Sequence, residues 1–172
     1  MSDISDSAIL GIPNYDMYVS TAFHSMQFRG KTLSVWESEL MFPDISDDID
    51  FISLKQYNAD FVNKTKVIMN NLSFAKVALK GCDMQYEMQI GAAKAVIMDK
   101  LREKNPSGRL PSMDSISSMA ERRCVEARVA KEIAEMFLAF WQSQYDKAKI
   151  IDSRLAGIGY LYGLEVKNTH YG

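Results

Sequence analysis

The stretch NPSGRLPS, residues 105–112, decides how this chain folds. Two prolines and a glycine end any helix that reaches them, because proline lacks a backbone N–H donor and clashes with the preceding turn. Ser112, the last residue of the stretch, is a good N-cap for a new helix. The stretch therefore predicts a short loop at 105–112 between two helical segments.

A helical pattern leads into this loop. Apolar residues recur at steps of three or four from residue 57 to residue 101, with one gap of seven. No proline falls between Asp44 and Asn105, and only Gly81 and Gly91 weaken the pattern, each by roughly 1 kcal/mol relative to alanine. The first stripe comprises Tyr57, Phe61, Ile68, Leu72, Ala75, Leu79, Cys82, Tyr86, Ile90, Ala93, Ile97 and Leu101.

A second stripe follows the loop and also keeps to steps of three or four. Two helices of about 50 residues, each about 75 Å long, joined by a short loop must lie antiparallel. The sequence thus predicts a mainly α protein built on a long αα-hairpin. The second stripe comprises Ile116, Ala120, Cys124, Ala127, Ala130, Ala134, Phe137, Trp141, Tyr145, Ala148, Ile151, Leu155, Ile158 and Tyr162.

The two helices carry more apolar surface than one partner can cover. Phe74, Phe140 and Tyr160 lie off the main stripes. We therefore expect copies of the chain to associate into a homo-oligomer, for which a ring is one arrangement. The seam that holds the helices and the oligomer together is predicted to include Leu72, Leu79, Phe137, Trp141 and Leu155.

The part before the helices is acidic and differs from the rest. Residues 1–60 hold three basic and ten acidic groups, or −7, whereas residues 61–172 hold 17 basic and 12 acidic groups, or +5. We divide the chain into an acidic segment, 1–46, that acts as a lid or docking element, and a helical hairpin, 47–172. Ser46 and Asp47 are candidate N-caps for the first long helix.

Two structures are compatible with residues 15–42. The alternation favours a β-hairpin that turns at Arg29–Lys31, and the competing interpretation is a short helix followed by a strand.

Signals for catalysis are few. Only two histidines are present, His24 and His170, one near each end, and no phosphate-binding glycine motif occurs. Folding about residue 108 places Cys82 and Cys124 on the order of 15 Å apart, which is too far for a disulfide. We therefore expect no enzyme, no metal site and no cofactor. The absence of a long apolar run and of a basic secretory start predicts a cytoplasmic protein that does not enter a membrane.

Basic residues suggest a different activity. Eight basic and five acidic residues lie between residues 94 and 128, around the loop. Lys76 and Lys80 lie one turn apart on the first helix. Lysines and arginines near aromatic rings can hold a phosphate backbone and stack bases, although solvated helix faces show the same composition. The predicted phosphate contacts are Lys76, Lys80, Arg102, Lys104, Arg122 and Arg123, with Phe74 and Tyr86 for stacking.

Two stretches resemble a known family. KVALKGCDMQYE, residues 76–87, and FWQSQYDKAKIIDSRLAGIGYLYGLE, residues 140–165, are similar to segments of the recombination mediators of T-even-type phages, the UvsY family. The resemblance covers roughly residues 55–165, mostly in the layout of the helices. In that family a Lys-x-Arg pair contacts DNA; Lys80 matches the lysine here, but Cys82 stands in place of the arginine.

The resemblance implies a ring-forming helical protein that binds single-stranded DNA. Such a mediator displaces a single-strand-binding protein and helps to load a RecA-like recombinase. Two other functions remain open from the residues alone. One is a non-enzymatic coiled-coil scaffold or adaptor, and the other is an inhibitor that uses its acidic N-terminal segment to mimic DNA.

Overall fold

The computed structural model describes residues 24–46 and 49–170, with side chains to residue 164. Strands β1 (Gln27–Phe28) and β2 (Lys31–Thr32) come first, followed by helices α1 (Leu33–Leu40), α2 (Phe51–Lys104), α3 (Met113–Glu121) and α4 (Val125–His170). The mainly α fold predicted from the sequence is confirmed. The chain divides into two compact units between Lys64 and Thr65, inside α2.

A tight β-hairpin opens the described part of the N-terminal unit. Strands β1 and β2 pair antiparallel, with Gln27 opposite Thr32 and Phe28 opposite Lys31. The two turn residues, Arg29 and Gly30, both have positive φ, at 52° and 83°. Positive φ at both central positions is the type I′ turn that matches the twist of a hairpin. The predicted turn at Arg29–Lys31 is therefore present, between strands of two residues each. Residues 15–23, the start of the predicted hairpin, lie outside the described residues.

The second arm of this hairpin is much shorter than its alternation suggested. The chain leaves β2 after Thr32, whose hydroxyl accepts the Val35 N–H at 3.4 Å and caps α1. Burial of Leu33 and Leu40, seven residues apart, fits a helix with one face inward. Trp36 then donates from Nε1 to the Phe28 carbonyl at 2.8 Å. That bond ties α1 to the hairpin and favours the helix over a longer strand.

Helix α2 begins later than expected. Its N-cap is Asp50, not Ser46, and Asp47 lies outside the described residues. The Asp50 carboxylate accepts backbone N–H groups of Ile52 at 2.9 Å and Ser53 at 3.0 Å. Together with the Ser53 hydroxyl, which contributes most, these donors lower the pKa of Asp50 below its usual value.

The second unit is an antiparallel helix pair, as the short loop predicted. Lys131 on α4 reaches Asp83 on α2, with Nζ 2.9 Å from Oδ1. Nearer the loop, Ile97 on α2 packs in one buried cluster with Ile116 and Ala120 of α3. The contact nearer the loop on α2 is also the contact nearer the loop on the second arm. The two arms therefore run in opposite directions.

The second arm is broken, and the prediction of one uninterrupted helix after the loop is wrong at this point. Helix α3 ends at Glu121, and α4 starts only at Val125. In between, Arg123 donates its N–H to the Ala120 carbonyl at 2.9 Å and Cys124 donates to Glu121 at 3.1 Å. These i→i−3 bonds make a tight turn. The turn buries Cys124, and the apolar steps of three or four continue through it without a gap.

Both stripes face inward in the second unit. Leu72 and Trp141 are buried, and Leu79, Phe137 and Leu155 are half-buried. Trp141 is fully buried, and its ring meets Phe140 edge-on at 5.2 Å between centroids. In the second stripe, Ala130 alone is exposed.

Candidate nucleic-acid interface

Four of the predicted phosphate contacts come together at the loop end of the helix pair. Arg102 and Lys104 lie in the last turn of α2, where cations are favoured by the helix dipole. Arg122 and Arg123 lie in the turn between α3 and α4. Leu101 packs against the buried cluster that contains Ala120, so the two pairs share one end of the unit. We call Arg102, Lys104, Arg122 and Arg123 the loop-end cluster.

The loop-end cluster is exposed and carries excess charge. All four side chains are exposed, and none of them makes an ion pair with another described residue. Nearby, Arg128 is held only weakly, with Nε 3.6 Å from Glu132 Oε1 on the surface. Between residues 94 and 128 the eight basic and five acidic groups leave a charge of +3. The arrangement can therefore accept phosphates without breaking internal pairs within the described chain.

Lys76 and Lys80 form a separate site in the middle of α2. Both are exposed, and one helical turn separates them. Arg102 follows Lys80 by 22 residues, which is about 33 Å along a helix. The structure therefore does not bring the two lysines together with the loop-end cluster. A DNA strand would have to follow α2 to touch both.

The predicted stacking residues are not beside the lysines. Phe74 is 52% exposed, but two residues of an α-helix turn by about 200°, so Phe74 and Lys76 point to nearly opposite sides. Tyr86 is half-buried, and the Lys131 ammonium lies over its ring, 5.9 Å from the centroid.

Lys131 links the two arms at this point. Its pKa is raised above the usual value, chiefly by the hydrogen bond to Asp83 and then by that carboxylate's charge. Side chains of Lys131 and Asp83 are 34% and 30% exposed, so the pair is partly screened by water. The contact joins the two arms and places the ammonium over the ring of Tyr86. This residue was not singled out from the sequence.

A second row on α2, apolar except for Asn70 at its start, was also not predicted from the sequence. Its large members are exposed, and Val77 and Met88 are the most exposed at 72% and 73%. The row keeps strict steps of four and three and lies on the side of α2 opposite the buried stripe. The heptad spacing of this row is present in the sequence, in the same segment as the inner stripe. The outer row comprises Asn70, Phe74, Val77, Gly81, Met84, Met88, Gly91 and Ala95.

Other kinds of site find little support in the described ranges, 24–46 and 49–170. No group of three or more His, Cys, Asp and Glu side chains is placed there to hold a metal ion. His24 is exposed, and the side chain of His170 lies outside the described ones. Cys82 and Cys124 are free thiols, the first half-buried and the second buried. None of the described helices has both the length and the apolar character needed to cross a membrane.

Known proteins do not identify a family for the chain. No protein-family model, no curated protein and no solved structure matches it. The resemblance of residues 76–87 and 140–165 to the UvsY family therefore remains a prediction.

Proposed function

We propose that this chain is a non-enzymatic, oligomeric protein that binds single-stranded DNA through its loop-end cluster. The observation that carries the proposal is the set of four exposed cations, Arg102, Lys104, Arg122 and Arg123, brought to one end of the helix pair with no described ion-pair partner. Cations held in this way are available for phosphates, and several copies in one oligomer would multiply the contacts.

The binding we propose is independent of base sequence. Arginines and lysines on a helix end and in a turn contact phosphate oxygens, which are the same at every nucleotide. The helix pair has no element shaped like a module that reads base edges in a groove. Affinity should therefore fall with salt and change little between sequences of similar flexibility.

The role in the cell that we propose is that of a recombination mediator. This part rests on the resemblance to the UvsY family rather than on the loop-end cluster. The protein would act in the cytoplasm, the host cytoplasm if a phage encodes it. There it would help to load a RecA-like recombinase on DNA covered by a single-strand-binding protein. Recombinase loading on coated DNA, with and without the protein, tests this step directly.

DNA binding is tested by the salt dependence of affinity. The probe is a fluorescent oligo-dT of about 30 nucleotides, longer than the usual site of a single-strand-binding domain. We expect the triple variant Arg102→Ala/Arg122→Ala/Arg123→Ala to flatten the plot of log affinity against log salt by about two, at about 0.7 per lost phosphate contact. Anisotropy between about 50 and 200 mM salt measures this slope.

A charge-matched control separates local contacts from net charge. Lys66→Ala/Lys147→Ala/Lys149→Ala removes the same charge from other parts of the helices. This control should leave the slope nearly unchanged. Equal effects of the two triple variants, or no binding by the unmodified chain at low salt, would contradict the proposal.

The mid-helix lysines have their own test. If Lys76 and Lys80 both touch phosphates, Lys76→Ala/Lys80→Ala should flatten the slope by about 1.4 on the same scale. An unchanged slope would show that both are ordinary solvated residues and that binding is confined to the loop end.

A structural scaffold is the second candidate, and the outer row of α2 favours it. An exposed apolar row along a helix is typical of a surface that binds another helix. A scaffold would associate through this row and show no DNA affinity even at low salt. The anisotropy measurement therefore discriminates between the two functions.

A further inference from the structure

We propose that the outer row of α2 is a two-fold contact between two copies of this chain, in which their α2 helices lie antiparallel. The inference deepens the self-association in the proposed function and is independent of DNA binding. The row lies opposite the stripe that packs inside the unit, so both faces of α2 are apolar between residues 70 and 95. At 1.5 Å per residue this length is about 38 Å.

The row has the spacing of a coiled-coil seam. Its eight members follow one another at steps of four and three without exception. Such a seam packs side chains of one helix into holes between side chains of another. Phe74, Val77, Met84 and Met88 are the large side chains, and all are more than half exposed.

Large and small residues alternate so that the row complements itself. When two copies are antiparallel and Gly81 of each faces Met84 of the other, every large residue meets a smaller or flexible one. A methyl group added at Gly81 or Gly91 would meet no atom of the described residues within 4 Å. The space is therefore open for a side chain of the second copy. The facing pairs are Asn70 with Ala95, Phe74 with Gly91, Val77 with Met88, and Gly81 with Met84.

The charged flank agrees with the same register. Lys80 and Glu87 lie along one edge of the row, and both are exposed. Neither makes an ion pair with another described residue. In the antiparallel register, Lys80 of each copy comes beside Glu87 of the other, which gives two equivalent ion pairs. Flanking charges of this kind set orientation in coiled coils.

A parallel pair fits much less well. In register, it would place Gly81 on Gly81 and Gly91 on Gly91, which leaves gaps where the helices should touch. Lys80 would face Gln85, and Glu87 would face Ala92, so no ion pair would form. The antiparallel contact is therefore the arrangement that the residues favour.

A two-fold contact closes after two copies. It produces a dimer, and any ring would need a further surface on each dimer. Helix α4 carries a shorter exposed row that could provide one, formed by Val125, Val129, Ile133 and Met136.

The experiment is a charge reversal followed by its repair. Lys80→Glu places Glu against Glu87 of the second copy, and Glu87→Lys places Lys against Lys80. Each single variant should weaken association about tenfold, because two surface pairs change from attraction to repulsion. The double variant Lys80→Glu/Glu87→Lys should recover to within about threefold of the unmodified chain. Sedimentation of the full chain without DNA, over a range of concentrations, measures the dissociation constant.

Two more variants complete the design. Lys76→Glu changes a neighbouring exposed lysine outside the row and should leave the mass unchanged. Gly91→Leu fills the space that Phe74 of the second copy would occupy. It should give a monomer whose helix content, measured by circular dichroism, is unchanged. A monomeric unmodified chain, a double variant no better than the single ones, or a dimer that tolerates Gly91→Leu would each overturn the inference.

These results are separable from those on DNA. If reversal and repair control the mass while the chain fails to bind oligo-dT, the α2 contact stands and the DNA proposal falls. If the loop-end variants alter the salt slope while reversal and repair leave the mass unchanged, the DNA proposal stands and the α2 contact falls.

Discussion

Replacing Trp141 by alanine removes the largest fully buried side chain among the described residues. An aromatic side chain of this kind buries about 150–250 Å², which at about 25 cal/mol per Å² corresponds to about 4–6 kcal/mol. Because unfolded chains already bury part of that area, the estimate falls to about 3–5 kcal/mol. Truncations of buried Phe and Trp in other proteins fall in the same range. We therefore expect Trp141→Ala to lower the free energy of unfolding by about 3–5 kcal/mol.

Urea unfolding followed by circular dichroism measures this loss. All proteins should be compared at one concentration, since association adds to apparent stability. Ile150→Ala is the matched control, because Ile150 lies on the same helix but is 72% exposed. It should cost no more than about 0.5 kcal/mol. Similar effects of the two substitutions would refute the assignment of Trp141 to the inner face of α4.

Three further predictions concern single residues. The stabilisation from Asp50 is complete above its usual pKa of 3.8 and is lost as pH falls through its lower folded pKa. The Asp50→Asn variant, which cannot titrate at this position, should therefore lose less helix in acid than the unmodified chain. Circular dichroism measures this loss. The stabilisation from the Lys131 ion pair is complete below the usual pKa of 10.5 and is lost as pH rises through the higher folded value. Lys131→Met should remove that alkaline step in thermal unfolding. Gly157→Ala, at an exposed helix site with open space around it, should raise stability by about 0.5–1 kcal/mol in urea unfolding.

The helix pair could be predicted because its information is periodic and local. The loop at 105–112 fixed the turn, and steps of three or four marked the inner stripes on both sides. Folding about residue 108 predicted that partners have numbers summing to about 216. Asp83 and Lys131, which sum to 214, agree with that register within one helical turn. A short loop leaves little freedom for the arms to slide, so the register follows from the turn.

Other features depend on tertiary contacts that a pattern does not contain. Residues 33–40 alternate like a strand, but the Trp36 bond to Phe28 and the cap from Thr32 stabilise a helix there. The break after Glu121 left the apolar spacing intact, so periodicity could not reveal it.

The candidate site could be predicted in part. The loop places Arg102 and Arg122 at the same end of the hairpin, which sequence alone indicated. The pairing of Phe74 with Lys76 was proposed from nearness in sequence, and helical rotation separates them. The contact of Lys131 with the Tyr86 ring joins segments that are distant in sequence, and no local pattern predicts such a contact.

The position of the buried cluster near the loop has a consequence for the order in which the helix pair assembles. Contact between Ile97 and Ile116 closes a segment of 19 residues, whereas contact between Asp83 and Lys131 closes one of 48. The shorter closure costs roughly 0.8 kcal/mol less chain entropy. Assembly should therefore start at the loop and proceed away from it, so that substitutions at Ile116 slow folding and substitutions at Trp141 chiefly speed unfolding.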